Sequence, residues 1–331
     1  MAAEKTTSDT CLLVGDIGGT NARFALSSVS GVEFEMQKSI ACADFATAGE
    51  AIGEYLRQSN LRTPDAVCLA VAGPIVDNSV RFTNNHWEIS GSDLSAEFGG
   101  ASVQLLNDFE AIAYSLPFLA ESDIHAIGLP EASLDATSDF TIAVIGPGTG
   151  LGCAGLMHRD GVLVPVRGEG GHSGFAPESQ VQVDVLGILR EQFDRVSNER
   201  LLSGPGIENI YRALCKLHGE RPKRLTAADI FHRGESVKDS RAEEAVQLFF
   251  ELLGQVAGDL ALTIKAIDGV YIAGGIVQRY PQIIENSRFR PAFESKGRYR
   301  SFMEQIPTRL ITHRDPGLLG ASYFVGRLVD A

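Results

Sequence analysis

The chain has 331 residues, 44% hydrophobic and 21% charged, and its 42 acidic and 29 basic side chains give a net charge of −13. That length suits about two domains, each with a core of its own. The acidity, without any basic patch or stripe, argues against a nucleic-acid binder, and it requires that an anionic ligand be held by local donors or a metal.

Five cysteines (Cys11, Cys42, Cys68, Cys153, Cys215) stand apart and never form a C-x-x-C pair. They fit buried free thiols of a reducing compartment better than a disulfide or zinc framework. The opening MAAEKTTSDT is polar and lacks the apolar segment of a signal peptide. No apolar run approaches the ~20 residues of a membrane span. A cytoplasmic protein is expected, with neither membrane nor nucleic acid as partner.

In chain order, CLLVGD (11–16) reads as a strand that enters a glycine turn. ARFALSS and VEFEMQKSI follow as further strands of a meander joined by short turns. The spacing of Ala51, Ile52, Tyr55 and Leu56 predicts a helix over 47–59. AVCLAVAGP (66–74) is a continuous apolar strand of the kind buried on both faces, ended by Gly-Pro. SVQLLND (102–108) is another strand, running directly into the helical stretch FEAIAYSL.

A second series opens at residue 140, with strands over 141–145 and 152–157 around GPGTG. A long helix over 241–266 carries Val246, Phe249, Phe250, Leu253, Val256, Leu260 and Ile264 on one face. GVYIAGGIV (269–277) reads as a strand with Gly-Gly at its end, and DPGLLGASYFVGRLVD as a final helix. Each series opens with strand, Gly/Thr turn, strand. Two similar α/β halves facing across a cleft are therefore expected, and such clefts bind ligands.

The glycine turns suggest the ligand. Closely spaced glycines present successive N–H groups to one point and admit phosphate oxygens, while Thr20 and Thr149 add hydroxyls. Either cluster alone is as well explained by a plain hairpin. Two in matching places, with Gly274–Gly275 after a third strand, favour a nucleotide. GPGTGLG breaks the G-x-G-x-x-G spacing and opens a strand rather than a helix, which argues against a dinucleotide dehydrogenase, and no G-x-x-x-x-G-K-[ST] occurs, so this is not a P-loop enzyme. Asp16 ends the first strand. It either bonds its own turn or holds Mg²⁺ through water near the phosphates.

The chemistry falls to three polar stretches. Asn107–Asp108 ends a buried strand where a helix begins. One of the pair would ordinarily cap the helix, and a carboxylate there could also take a proton from an attacking hydroxyl. VRGEGGHSGFAP places Glu169 and His172 on a glycine-loosened segment too polar for a core. Glu199, in SNERLLSGPG, is by default a solvated surface carboxylate. Together these groups form an acceptor-rich set suited to a neutral polyol.

D-x-G-G-T-N-x-R (16–23), L-x-N-D-F (105–109), G-x-G-T-G-L-G (146–152), E-G-G-H-x-x-F-A-P (169–177) and E-R-x-L-S-G-P-G (199–206) resemble bacterial-type ATP-dependent glucokinases of the hexokinase and actin-like ATPase superfamily. The resemblance spans nearly the whole chain, with the motifs in family order. It implies two ribonuclease H-like α/β domains with mixed sheets around a cleft. The smaller would cover 1–110, with a C-terminal helix over about 316–331 packing back on it, and the larger 111–315. It implies that ATP phosphates contact Gly15, Asp16, Ile17, Gly18, Gly19, Thr20 and Asn21 and also Gly148, Thr149 and Gly150, with Gly274 and Gly275 near the nucleoside. Mg²⁺ would be held by Asp16, and Asp108 would be the general base for the sugar 6-hydroxyl. Asn84, Asn107, Asp108, Glu169, His172 and Glu199 would bind D-glucose. The zinc-bearing relatives carry a cysteine cluster after the histidine that this chain lacks. A homodimer is usual in the family.

The implied reaction, the first of glycolysis, converts ATP and D-glucose to ADP and glucose 6-phosphate. A kinase for mannose or fructose is the alternative enzyme, since specificity depends on fine placement. A sugar-sensing regulator on the same fold would need a DNA-binding module before the first turn, where only eleven residues precede Leu12. A silent sugar-binding protein is disfavoured by Asp108 and both phosphate turns.

Overall fold

The computed structural model describes residues 10–29, 32–82, 85–236 and 239–330. The chain begins with β1 (Leu12–Ile17), β2 (Asn21–Ser27), β3 (Phe34–Ala41), α1 (Ala48–Gln58) and β4 (Ala66–Val71). Short strands β5 (Ser79–Arg81) and β6 (Glu88–Ser90) precede α2 (Gly91–Glu97), β7 (Ser102–Asn107) and α3 (Asp108–Ser115). A second series holds β8 (Ile124–Ala126), β9 (Phe140–Pro147), β10 (Leu151–Arg159) and β11 (Val162–Val166). Helices α4 (Gln180–Leu189), α5 (Gly204–Leu217), α6 (Ala227–Ser236) and α7 (Ser240–Ile264) lead to β12 (Gly269–Ile272). Then come α8 (Gly275–Gln278), α9 (Pro281–Glu285), α10 (Phe289–Glu294), α11 (Arg300–Met303), β13 (Thr308–Ile311) and α12 (Pro316–Asp330).

Two mixed sheets share one plan, with the orders β3-β2-β1-β4-β7 and β11-β10-β9-β12-β13-β8. In each, an antiparallel meander is extended by two strands parallel to its first strand. Short turns suffice for the meander, whereas each parallel strand is reached only after a helical or longer crossover. β8 is an antiparallel addition at the second sheet's edge.

The chain gathers into two compact units, one through Leu119 together with His313 onward, the other Ala120–Thr312. The boundary expected at 110 would have cut α3. That helix stays with the first unit because it packs against α12.

In the first unit β4 is buried along its whole length, as its unbroken apolar run requires. Leu13 and Ile17 share a core with Ile52, Tyr55 and Trp87, so the alternate positions Leu12, Val14 and Asp16 turn to the other face, where α12 lies. Gly320 allows the close crossing there, since a Cβ on it would collide with the Ala111 carbonyl. Tyr114 packs on Tyr323 and Phe324 with ring centroids 5.8 and 5.4 Å apart. Ser322 Oγ donates to the Glu33 carbonyl at 2.9 Å.

In the second unit α7 buries Val246, Phe249, Phe250 and Leu253, and Phe231 meets both phenylalanine rings edge-on. Its length and composition would also suit a membrane span, but 67% of that window is buried inside the protein; it is a core helix. The strand expected over 269–277 stops at Ile272, because Gly274 takes φ +96° and the chain turns into α8.

Candidate active site

The first glycine turn joins β1 to β2. Gly18 N–H donates to Asn21 O at 3.0 Å, and Cys42 N–H donates to Thr20 O at 2.9 Å. Asn85 Nδ2 donates to Gly18 O at 3.2 Å, while its Oδ1 accepts from Trp87 N–H at 3.1 Å. Thr20 and Asn21 are exposed. Gly15 lies inside β1 rather than in the turn, and a Cβ there would meet Leu69 at 2.7 Å and Phe24 at 3.0 Å. Ile17 is a buried core side chain, 1% exposed.

Asp16 sits at the end of β1 beside the first turn of α12, where a Cβ on Gly317 would lie 3.7 Å from its Cγ. Arg23 Nη1 contacts Asp16 Oδ2 at 3.1 Å, and Arg23 Nε lies 3.6 Å from Asp315 Oδ1. Burial pushes the Asp16 carboxyl above its usual range, Arg23 pulls it back, and Asp315 adds to the rise. The side chain remains 26% exposed. Among the described residues no cluster of three or more metal-ligating side chains occurs; the Asp16 carboxylate beside the glycine turn is the type of oxygen ligand that could hold Mg²⁺ through water.

Asn107 and Asp108 bridge β7 and α3. Asn107 caps the helix, its Oδ1 accepting from Phe109 N–H at 2.9 Å and Glu110 N–H at 3.3 Å. Asp108 Oδ1 also accepts from Phe109 N–H at 2.9 Å, and both residues are half-buried. Register aligns this pair with the glycine turn. Ile17 is opposite Val71 and Val71 opposite Asn107 in parallel strands, so the two carboxyl ends lie two strands, roughly 10 Å, apart.

In the second unit Gly148 N–H closes its turn on Gly150 O at 2.8 Å. A Cβ on Gly148 or Gly275 would meet nothing within 4 Å, while Thr149 is exposed. Gly146 lies directly against Ala273, and a Cβ on Gly274 would run into Pro147 O, so the loops after β9 and β12 are packed side by side. This brings Gly148, Thr149, Gly150, Gly274 and Gly275 into one region.

Glu169 and His172 share one short segment of this unit, and His172 meets Glu199 there. Glu169 O accepts from His172 N–H at 3.0 Å, and His172 Nδ1 is 4.0 Å from Glu199 Oε1. Two strands of loop hold them, since Asn198 N–H donates to Ser173 O at 2.9 Å and Phe175 N–H to Val196 O at 3.1 Å. Gly170 and Gly171 let this loop lie on β10, where Gly170 faces Cys153 Sγ and Gly171 faces Leu151 O. Burial pushes the Cys153 thiol up, so it stays protonated and structural. Asn84 lies outside the described residues.

Arg23, Asn85 and Asp315 beside the first unit's glycine turn, and the Leu151 N–H beside Glu199 in the second unit, were not singled out from sequence. Arg23 stands in the first motif, so its place in D-x-G-G-T-N-x-R was the available signal. Asp315 reaches Asp16 only through the return of α12, which no local pattern discloses.

A glucokinase family model matches residues 13–327. A glucokinase from Caulobacter vibrioides is 44% identical over 315 residues, covering 94% of this chain and 93% of that protein. One from Nitrobacter hamburgensis is 42% identical over 310 residues, covering 93% and 95%. Among solved structures, the glucokinase from an Antarctic psychrotroph superposes with a TM-score of 0.85 at 35% identity, over 97% of this chain and 99% of that one. With its two mixed sheets of one topology, the architecture is the ribonuclease H-like, actin-like ATPase fold. From its motifs, its fold and these relatives, the chain belongs to the glucokinase family.

Proposed function

We propose that this chain transfers the γ-phosphoryl group of ATP to the 6-hydroxyl of D-glucose, acting in the cytoplasm as a homodimer. One observation carries the site assignment: the Ile17–Val71–Asn107 register, which aligns the Asp16 turn and the Asn107–Asp108 pair at one level of one sheet. Membership of the glucokinase family supports the substrates.

In this reading the Asp108 carboxylate accepts the proton of the 6-hydroxyl as that oxygen attacks the γ-phosphorus, the bond to the bridging oxygen breaks, and ADP leaves. Asn107, rigid as the helix cap, orients one sugar hydroxyl. Glu169, His172 and Glu199 accept or exchange hydrogen bonds with the others, and Asn84 keeps its sequence-based assignment to the sugar. The N–H groups of Gly19 and Thr20, with Thr20 Oγ, receive phosphate oxygens. So do the N–H groups of Thr149 and Gly150, Gly148 leaves space for the phosphate to approach, and Gly274–Gly275 leave room for the nucleoside. Mg²⁺ held through water by Asp16 supplies positive charge at the phosphates.

A coupled ADP-release assay over a hexose panel tests the reading, with glucose expected as the preferred acceptor. Preference for mannose or fructose would reassign the substrate, and failure of every hexose to drive ATP consumption would end the kinase reading. Asp108→Ala should lower kcat by roughly 10²–10⁴-fold while glucose binding persists; near-normal turnover would remove Asp108 from the chemistry. Sedimentation velocity of the purified chain checks the dimer.

A further inference from the structure

Glu199 has two carboxylate oxygens, and they face different parts of the site. Oε1 lies 4.0 Å from His172 Nδ1. Oε2 accepts a hydrogen bond from Leu151 N–H at 2.9 Å, at the exit of the second glycine turn. The loop around Glu199 grips the same turn a second time, because Gly204 N–H donates to Gly148 O at 2.9 Å. That loop is itself fixed: Ser203 Oγ donates to Glu199 O at 2.8 Å and accepts from Gly206 N–H at 3.0 Å as the cap of α5. Leu151 completes the junction, as its carbonyl lies against Gly171 of the segment that carries Glu169 and His172.

Gly150 shows how tight the arrangement is. Its φ is not among the positive values that favour glycine, so an L residue is not barred by backbone geometry there. A Cβ would nevertheless stand 2.5 Å from Glu199 Oε2 and 3.3 Å from its Cδ, and nothing else comes within 4 Å. The missing side chain therefore makes room for the glutamate carboxylate.

We infer that Glu199 is a positioning residue for the 148–150 turn as well as a sugar ligand, and that Gly150, a residue of the nucleotide turn, is a determinant of sugar affinity. The inference rests on the proposed assignment of Glu199 to glucose and of the turn to ATP. It adds a direct mechanical link between the two binding sites within one unit. A sugar hydroxyl that draws on Glu199 acts on the group that holds Leu151 N–H, and a phosphate that loads the turn acts on the group that meets the sugar.

Calorimetry with one ligand at a time tests this. In the absence of nucleotide, Gly150→Ala should weaken glucose binding by about tenfold or more, because the methyl group displaces the Glu199 carboxylate. In the absence of sugar, Glu199→Ala should weaken ADP binding by about fivefold or more, whereas Glu199→Gln, which keeps an acceptor for Leu151 N–H, should stay within about twofold of wild type. Thermal unfolding of each variant verifies that it is folded. Should Gly150→Ala bind glucose normally, or Glu199→Ala bind ADP normally, the link is refuted while the kinase reading stands. Wild-type protein that binds neither ligand would overturn both.

Discussion

Arg23 lies between two carboxylates, 3.1 Å from Asp16 and 3.6 Å from Asp315, and this sets the character of Asp16. Burial raises the Asp16 carboxyl above its unfolded value, with Arg23 opposing. A carboxyl whose folded pKa is raised loses stability for the fold as pH climbs through that interval and it ionises. Above that interval the fold is therefore less stable than it would be with a neutral group in this place. On the proposed role of Asp16 in holding Mg²⁺, Asp16→Asn should lower kcat by about a hundredfold or more, because the charge that the metal brings to the phosphates is lost. The melting temperature of the ligand-free protein at pH 7 should be unchanged or higher. A lowered melting temperature would make Asp16 a structural residue. At this scale the sequence placed Asn107–Asp108 where a strand meets a helix and Glu199 ahead of a helix, and the structure has them there. Helix capping and chemistry, its two readings of Asn107–Asp108, are compatible because Asn107 takes the cap. What it blurred was Gly15, whose place in the motif string hid a packing role against Leu69 and Phe24.

Among the elements, the strands written as unbroken apolar runs, β1, β4 and β9, were legible because each lies inside its sheet and is buried throughout or nearly so. β13 was not. Its letters, TRLI, include Thr308 and Arg309, yet all four residues are buried, and Arg309 is accommodated by the Tyr271 ring, 5.1 Å away. Long-range partners thus override a polar local pattern. Asp65 ties the feet of three strands in a similar way. Its Oδ2 accepts from Cys11 N–H at 2.8 Å ahead of β1, it precedes β4, and its carbonyl accepts from Ser102 N–H at 3.0 Å in β7. The Arg62 hydrogen bond, with the Cys11 N–H, holds its carboxyl below the usual range. For such a depressed carboxyl the stabilisation is complete above the unfolded value of about 3.9 and is lost as pH falls through the folded one. Asp65→Asn should therefore lower the urea midpoint at pH 7 and lower it progressively less below about pH 4. A penalty independent of pH would show that the charge plays no part.

Across the whole molecule, the paired strand–turn–strand openings disclosed the duplication that the two sheet orders display. The division of the chain was less legible, because it depends on α3 meeting α12 across some 200 residues of sequence. Gly320 is where that meeting is tightest. Gly320→Ala gains about 1 kcal/mol of helix propensity, but overpacking against the Ala111 carbonyl costs about 1–3 kcal/mol. The variant should unfold at lower denaturant, and one more stable than wild type would show that the crossing relaxes freely.

The return of α12 also orders events during synthesis. The unit that begins the chain needs its last helix to cover the face of β1 and β4, so it stays incomplete until residues beyond His313 have left the ribosome. The unit bounded by Ala120 and Thr312 is whole before then. Domains fold as units while the chain emerges, so the second-written half folds first, and the half that carries Asp16 and Asp108 becomes competent only once α12 has emerged.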